Sequence, residues 1–300
     1  MSTVTRREFL AGATAALGAA TLIAPPVFAA QTAPKIKKGT DLITLGKSGI
    51  KSTVLGVGTG TRGGSEQRAM GEAEFVKLIR YAFDRGIRYI DTAQQYQTHR
   101  MVGAALKELP REQVFVQTKI PTMGAMSAEA TRQALERCRR DLGIEQFDTV
   151  LMHAMRRKTW PTDLRPRMDA LREEKEKGRI RAVGVSIHDM GALAAVADSD
   201  FADVCLVRVN PFAINTDGEA GETAGHLKKI HQNGCGVIGM KIYGETGFRV
   251  KGKDAPDSRQ KRLQSLKYVL GLGCIDCFTI GFSDPKQIDE TLELIEEAQA

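Results

Sequence analysis

Four side chains in this sequence have the types and spacing of a proton-delivery device. They are Asp91 and Tyr96 in Asp91-Thr92-Ala93-Gln94-Gln95-Tyr96, then Lys119 and His153. Each group follows a short apolar run: Ile87-Arg88-Tyr89-Ile90, Val114-Phe115-Val116-Gln117 and Thr149-Val150-Leu151-Met152. Tyrosine, with an ordinary pKa of about 10, is a poor acid at neutral pH. A neighbouring lysine cation stabilises the phenolate and lowers that value, while an aspartate orients and partly neutralises the lysine. A histidine can hydrogen-bond a carbonyl oxygen that is gaining negative charge. A lone lysine or histidine at a strand end is an ordinary structural residue. The four together, in this order, carry the expectation.

For these groups to meet, the strands before them must end at one rim, as the strands of a parallel barrel do. Strand-like runs lie at 54–58, 88–90, 114–118, 149–152, 181–185, 203–209, 236–240 and 278–281. Helical patterns alternate with them at 73–84, 100–108, 128–141, 165–177, 190–197, 220–232, 260–270 and 285–298. Gly86, Gly178 and Gly234 follow helices, where a left-handed residue ends the turn. Asp284 before Pro285 is a helix cap followed by proline at the first helical position. Ahead of the first unit, Leu42-Ile43-Thr44-Leu45 and Ile50-Lys51-Ser52 flank Gly46-Lys47-Ser48-Gly49, a hairpin signal. Eight strand–helix units without a linker predict an α/β fold: one (β/α)8 barrel over 41–300 with an N-terminal β-hairpin.

The constellation resembles the catalytic tetrad of the aldo/keto reductases. Asp91 to Tyr96 matches that family's D-T-A-x-x-Y stretch, Lys119 its strand-three lysine and His153 its strand-four histidine. The resemblance runs from about Leu42 to the C-terminus. It implies an NAD(P)-dependent oxidoreductase interconverting aldehydes or ketones and alcohols. Tyr96 would be the general acid, tuned by Lys119 and Asp91, and His153 would orient a small carbonyl or alcohol substrate.

The resemblance also implies cofactor positions. Gly58 and Thr59, after the first strand, stand near the nicotinamide in the family; a tight turn is the alternative reading. There is no G-x-G-x-x-G opening a helix. Ser186 matches the serine of the family's Ser-Asn pair, but Ile187 replaces the asparagine and His188 follows. Leu206 stands for the usual glutamine, and Met240, beside Lys241, for the usual stacking aromatic. Gly281, Ser283, Gln287 and Glu290 match the phosphate- and adenine-binding segment, with Thr291 where asparagine is usual. A helix beginning at Pro285 offers an anion site. The family favours NADP(H), with NAD(H) the alternative. No arginine stands ready for a 2′-phosphate, although Lys286, Arg249, Lys251 and Lys253 are nearby in sequence.

The first thirty residues read as a separate unit. Thr5-Arg6-Arg7-Glu8-Phe9-Leu10, an apolar run over 9–24 and Val27-Phe28-Ala29 have the charged start, apolar middle and small-residue end of an export signal. The paired arginines resemble the twin-arginine signal, which implies the twin-arginine translocase as a partner, cleavage after Ala29, a polar linker over 30–40 and a periplasmic or exported protein. The run is too short for a stable membrane span, which needs about 20 residues. That route carries folded proteins, so the cofactor would be loaded before export.

Composition adds bounds. At 42% apolar and 26% charged residues in 300, the chain can bury a full core. A net charge of +7 favours anionic ligands or membrane surfaces weakly, its basic residues being spread along the chain, and no nucleic-acid motif accompanies it. Cys138, Cys205 and Cys235 fit as small apolar fillers. Cys274 and Cys277 are either fillers or a C-x-x-C pair. His153-Ala154-Met155-Arg156-Arg157-Lys158-Thr159-Trp160 places three cations near the mouth, where an acidic or sugar-like carbonyl would fit. Two rivals stand beside the enzyme reading. One is a non-catalytic nicotinamide-binding or sensory barrel. The other is an enzyme whose resident cofactor is recharged by an electron donor through Cys274 and Cys277.

Overall fold

A computed structural model describes residues 36–123, 127–244 and 255–300. Eight parallel strands close into a barrel: β3 (Leu55–Gly58), β4 (Tyr89–Asp91), β5 (Phe115–Ile120), β6 (Phe147–Met155), β7 (Ile180–Ile187), β8 (Val204–Arg208), β9 (Gly236–Met240) and β10 (Cys277–Ile280). Neighbours in sequence are neighbours in the sheet. Closure is made by β10 on β3, with Phe278 opposite Leu55 and Ile280 opposite Val57. These strands are buried on both faces, so they read as continuous apolar runs and not as alternating ones. Inside, the register lines up Asp91 with Gln117, Gln117 with Thr149 and Thr149 with Ala182.

The antiparallel hairpin of β1 (Leu42–Thr44) and β2 (Lys51–Thr53) covers the opposite end from the site. Its turn sits on the start of β9, with the Lys47 amide donating to Gly234 O at 2.8 Å. Gly46 has φ of 47°, and a Cβ there would lie 2.4 Å from backbone atoms of Gly234 and Gly236. Only glycine fits that approach.

The helices are α1 (Ser65–Met70), α2 (Glu72–Asp84), α3 (His99–Leu106), α4 (Ala128–Leu142), α5 (Trp160–Asp163), α6 (Arg165–Glu176), α7 (Met190–Ala197), α8 (Ala220–Gln232), α9 (Ala255–Gly271) and α10 (Pro285–Gln299). α4 shows why they form. Ser127 caps it by accepting from the Ala130 amide, Gly143 ends it at φ of 65°, and Thr131, Ala134, Leu135, Cys138 and Leu142 face the barrel. The short α1 and α5 had no sequence expectation. α1 lies between Gly64 and Gly71, and that glycine-rich setting reads as loop. β6 runs three residues past its expected end at 152. Its register against β7 shifts between Met152 and Met155, and Ala154 takes φ of 61° there.

Cys274 and Cys277 are buried free thiols, and burial raises both pKa values, so they are apolar fillers and not a bonded pair. Among the described residues no helix is long and apolar enough to cross a membrane. The proposed leader and linker through residue 35, and the loop bearing Arg249, Lys251 and Lys253, lie outside the described residues.

Candidate active site

β4 delivers Asp91 at its last position, and the chain turns through Thr92 and Ala93 into a 3-10 turn, Gln94–Tyr96. β5 carries Lys119 and β6 carries His153, so the barrel brings the four expected groups together. Lys119 is wholly buried and donates to both Asp91 oxygens, at 2.6 and 2.8 Å, and to Thr92 O at 2.9 Å. Its ammonium also stands 4.9 Å from the centroid of the Tyr96 ring, close enough for the two groups to interact electrostatically. Burial alone would lower the Lys119 pKa, but Asp91 and Tyr96 outweigh it and the ammonium is held above its ordinary value. The Tyr96 and His153 rings meet edge-on at 5.5 Å.

The phenol departs from the expectation. Burial raises the Tyr96 pKa, Lys119 opposes this, and the net shift is upward. Lysine eases proton release from a ring that remains a firmly protonated acid. His153 is driven the other way, to about 2, by burial and then by Lys119, His188 and Arg156. Its imidazole is therefore neutral.

Three supports for the site escaped the sequence reading. Gln117 is buried beneath Asp91, and its amide donates to Asp91 Oδ1 at 2.8 Å and to the Tyr89 hydroxyl at 2.9 Å. Its signal was present: Gln117 and Lys119 are two apart on one strand and share a face. Arg68 of α1 donates to the backbone carbonyl of Tyr96 and, at 3.1 Å, to that of Gly63. Gly60 lies against the Tyr96 ring, where a Cβ would sit 2.4 Å from Cε2 and Cζ.

A cleft opens beside this group between the ends of β3, β9 and β10. Six expected cofactor residues line it together with Asp91 and Tyr96: Gly58, Met240, Lys241, Gly281, Ser283 and Gln287. Gln287 bridges back to Ser283, accepting from its amide at 2.9 Å, and Asp284 caps α10 by accepting from the Lys286 amide. Lys241 takes φ of 59°, and its carbonyl accepts from the Asn210 side chain at 3.1 Å. Tyr243 supplies the cleft with an aromatic three residues beyond Met240, the position at which the family resemblance implies one.

The other three expected residues lie outside the cleft lining. Thr59 is buried, its hydroxyl 2.9 Å from that of Thr98. Ser186 is buried, accepting from the Ala154 amide at 2.7 Å and so fixing the strand end behind His153. Glu290 pairs with Arg262.

The donor set fits an elongated anionic dinucleotide. Four backbone glycines (Gly58, Gly60, Gly244 and Gly281) allow close approach, Ser283, Gln287 and Lys241 offer polar contacts, and one end of the cleft reaches Tyr96. Among the described residues no group of three or more His, Cys, Asp or Glu side chains is placed to hold a metal.

Comparison with known proteins follows the same lines. Within curated sequences, the chain is 39% identical over 121 residues to a 9,11-endoperoxide prostaglandin H2 reductase of Trypanosoma cruzi, covering 40% of this chain and 41% of that one. It is 30% identical over 172 residues to an NADH-specific methylglyoxal reductase of Escherichia coli, covering 51% of each. These matches span about half the relatives' length or less. Among solved structures, an aldo-keto reductase of Pseudomonas aeruginosa superposes with a TM-score of 0.72 at 21% identity, over 88% of this chain and 98% of that one. The sequence pattern of the aldo/keto reductase family matches residues 54–299, nearly the whole barrel, and the chain belongs to that family.

Proposed function

We propose that this chain is an NAD(P)-dependent oxidoreductase that interconverts small aldehydes or ketones with alcohols, with Tyr96 as the general acid. The observation that carries the reading is the buried Lys119, which donates two hydrogen bonds to Asp91 on one side and sets its ammonium 4.9 Å from the centroid of the Tyr96 ring on the other. Tyr96 stays protonated at neutral pH because burial raises its pKa, and Lys119 stabilises the phenolate that forms when the proton leaves. His153, being neutral, can donate a hydrogen bond to the carbonyl oxygen without placing a second cation beside Lys119. The nicotinamide cofactor, when bound along the cleft, supplies the hydride. Gly58, Met240, Lys241, Gly281, Ser283 and Gln287 would hold it. The family and the E. coli relative support either NADP(H) or NAD(H), and the described residues show no arginine in the cleft lining.

Replacing Tyr96 by Phe removes only the transferred proton. Turnover should fall on the order of 10²- to 10⁴-fold, the usual contribution of a general acid, while the fluorescence titration of the cofactor stays in place. Turnover equal to that of the parent would remove Tyr96 from this role.

Export by the twin-arginine route is part of the same proposal and rests on Arg6-Arg7-Glu8-Phe9-Leu10 and the apolar run behind it. Cell fractionation of the full chain and of an Arg6→Lys, Arg7→Lys variant tests it; identical distribution of the two would count against export. The buried thiols of Cys274 and Cys277 give no support to a version recharged through that pair.

A further inference from the structure

The wall of the barrel mouth that includes His153 is formed by the ends of β6, β7 and β8; β6 and β7 lie across from the cleft, and β8 pairs with β9 at its border. Three nitrogen-bearing side chains stand on it. Arg156 directly follows β6, His188 directly follows β7, and Arg208 is the last residue of β8. The first two strand ends are tied together: the His188 amide donates to Met155 O at 2.8 Å, and the Ala154 amide to Ser186 Oγ at 2.7 Å. The half-buried His188 ring meets His153 edge-on at 6.3 Å, so this wall begins where the proposed reacting groups end.

The charge on the wall is unbalanced. Arg208 is neutralised by Asp217, with Nε to Oδ2 at 3.1 Å and a second bond from Nη2 to Oδ1. Asp189, adjacent to His188, is engaged in capping α7 through the Ala192 amide at 2.8 Å. Among the described residues Arg156 has no carboxylate partner. An exposed arginine on a loop ordinarily needs none, because water solvates it. Arg156 differs because its charge acts on three neighbours, His153, His188 and Arg208, two of them imidazoles held neutral and one already cationic. Burial and then Arg208, Arg156 and Lys241 push His188 down to about 4, and burial followed by Arg156 lowers Arg208 itself. An anion placed among them relieves that repulsion. Arg156 offers a planar fork suited to a carboxylate, and neutral His188 offers one N–H.

Resting on the oxidoreductase reading above, we propose that the preferred substrate is a carbonyl compound bearing a carboxylate or equivalent anionic group, which Arg156 and His188 receive on the β6–β7 side of the mouth. The cofactor and the substrate's charge then approach from opposite walls, and the carbonyl carbon is left between them.

A matched pair of aldehydes tests this with the purified full chain and added NADPH or NADH: 4-carboxybenzaldehyde and methyl 4-formylbenzoate. The two differ in charge but little in ring geometry or reactivity. The acid should be the better substrate in kcat/KM by about tenfold or more, the scale of one hydrogen bond to a charged group. Arg156→Ala, at an exposed position that carries no folding role, and His188→Leu should each pull that ratio toward one, chiefly through KM. Added salt should do the same. If His188→Leu fails to fold, Arg156→Ala alone decides. Equal kcat/KM for the two aldehydes in the parent, or a ratio unmoved by Arg156→Ala, overturns the anion preference while leaving the redox reading intact. Failure to turn over either aldehyde or any neutral carbonyl sinks the redox reading, and this inference with it.

Discussion

Lys119 explains most of the site's chemistry at the residue scale. An ammonium with no exposed surface costs several kcal/mol unless it is paired and hydrogen-bonded. Asp91 and Thr92 O meet that requirement, and Gln117 steadies the arrangement from below. Gln117→Leu keeps the volume and removes the donor to Asp91. It should lower kcat about tenfold or more, the scale of a hydrogen bond to a charged group, with the cofactor titration midpoint unmoved. If cofactor affinity falls in parallel with kcat, Gln117 is a packing residue only. The tetrad itself was legible because its residue types are unusual after apolar runs, and each follows one. Gln117 was less so: its spacing of two from Lys119 puts both on one strand face, but that spacing does not show that its amide reaches Asp91 on the neighbouring strand. The net rise in the Tyr96 pKa was also hidden: sequence shows the lysine but not the burial that outweighs it.

At the scale of elements, the phenol depends on a loop that carries no chemistry of its own. The segment from Gly60 to Arg68 covers one face of Tyr96 and holds its backbone carbonyl, so the ring has little room to swing. Gly60→Ala should therefore cost turnover much as Tyr96→Phe does, while circular dichroism and thermal midpoint stay close to the parent. A fully active Gly60→Ala would show that the ring can shift without penalty. The barrel strands were readable from apolar runs and the glycines behind helices, and α10 from Asp284 and Pro285. Loop placement was not. Nothing in the sequence indicated that Tyr243 rather than residue 240 would give the cleft an aromatic, or that Ser186 would spend its hydroxyl on the Ala154 amide. Both depend on how neighbouring strand ends are staggered, which only the closed sheet sets.

At the scale of the molecule, three imidazoles make the fold acid-sensitive. Burial, the largest cause in each, holds His99 at about 4, His153 at about 2 and His188 at about 4. Each is neutral in the folded chain and takes up a proton near pH 6.5 once unfolded, so stability is fully present above that pH and declines as pH falls below it. The decline is roughly 1.4 kcal/mol per pH unit for each of the two buried rings, His99 and His153, until the folded pKa is reached. Urea midpoints measured at pH 7, 6 and 5 should fall in that order, and a His99→Gln variant should give a shallower trend. A flat profile would show that the rings titrate normally in the fold. The closure of β10 on β3 has a separate consequence. The proposed cofactor cleft straddles the seam where the first and last barrel strands meet, with Gly58 on one lip and Gly281 on the other. A ribosome must finish nearly the entire chain before that seam can zip, so a nascent chain has no such cleft. Once zipped, any dinucleotide lying across both lips acts as a clasp, and its binding free energy is added to whatever holds the cylinder shut.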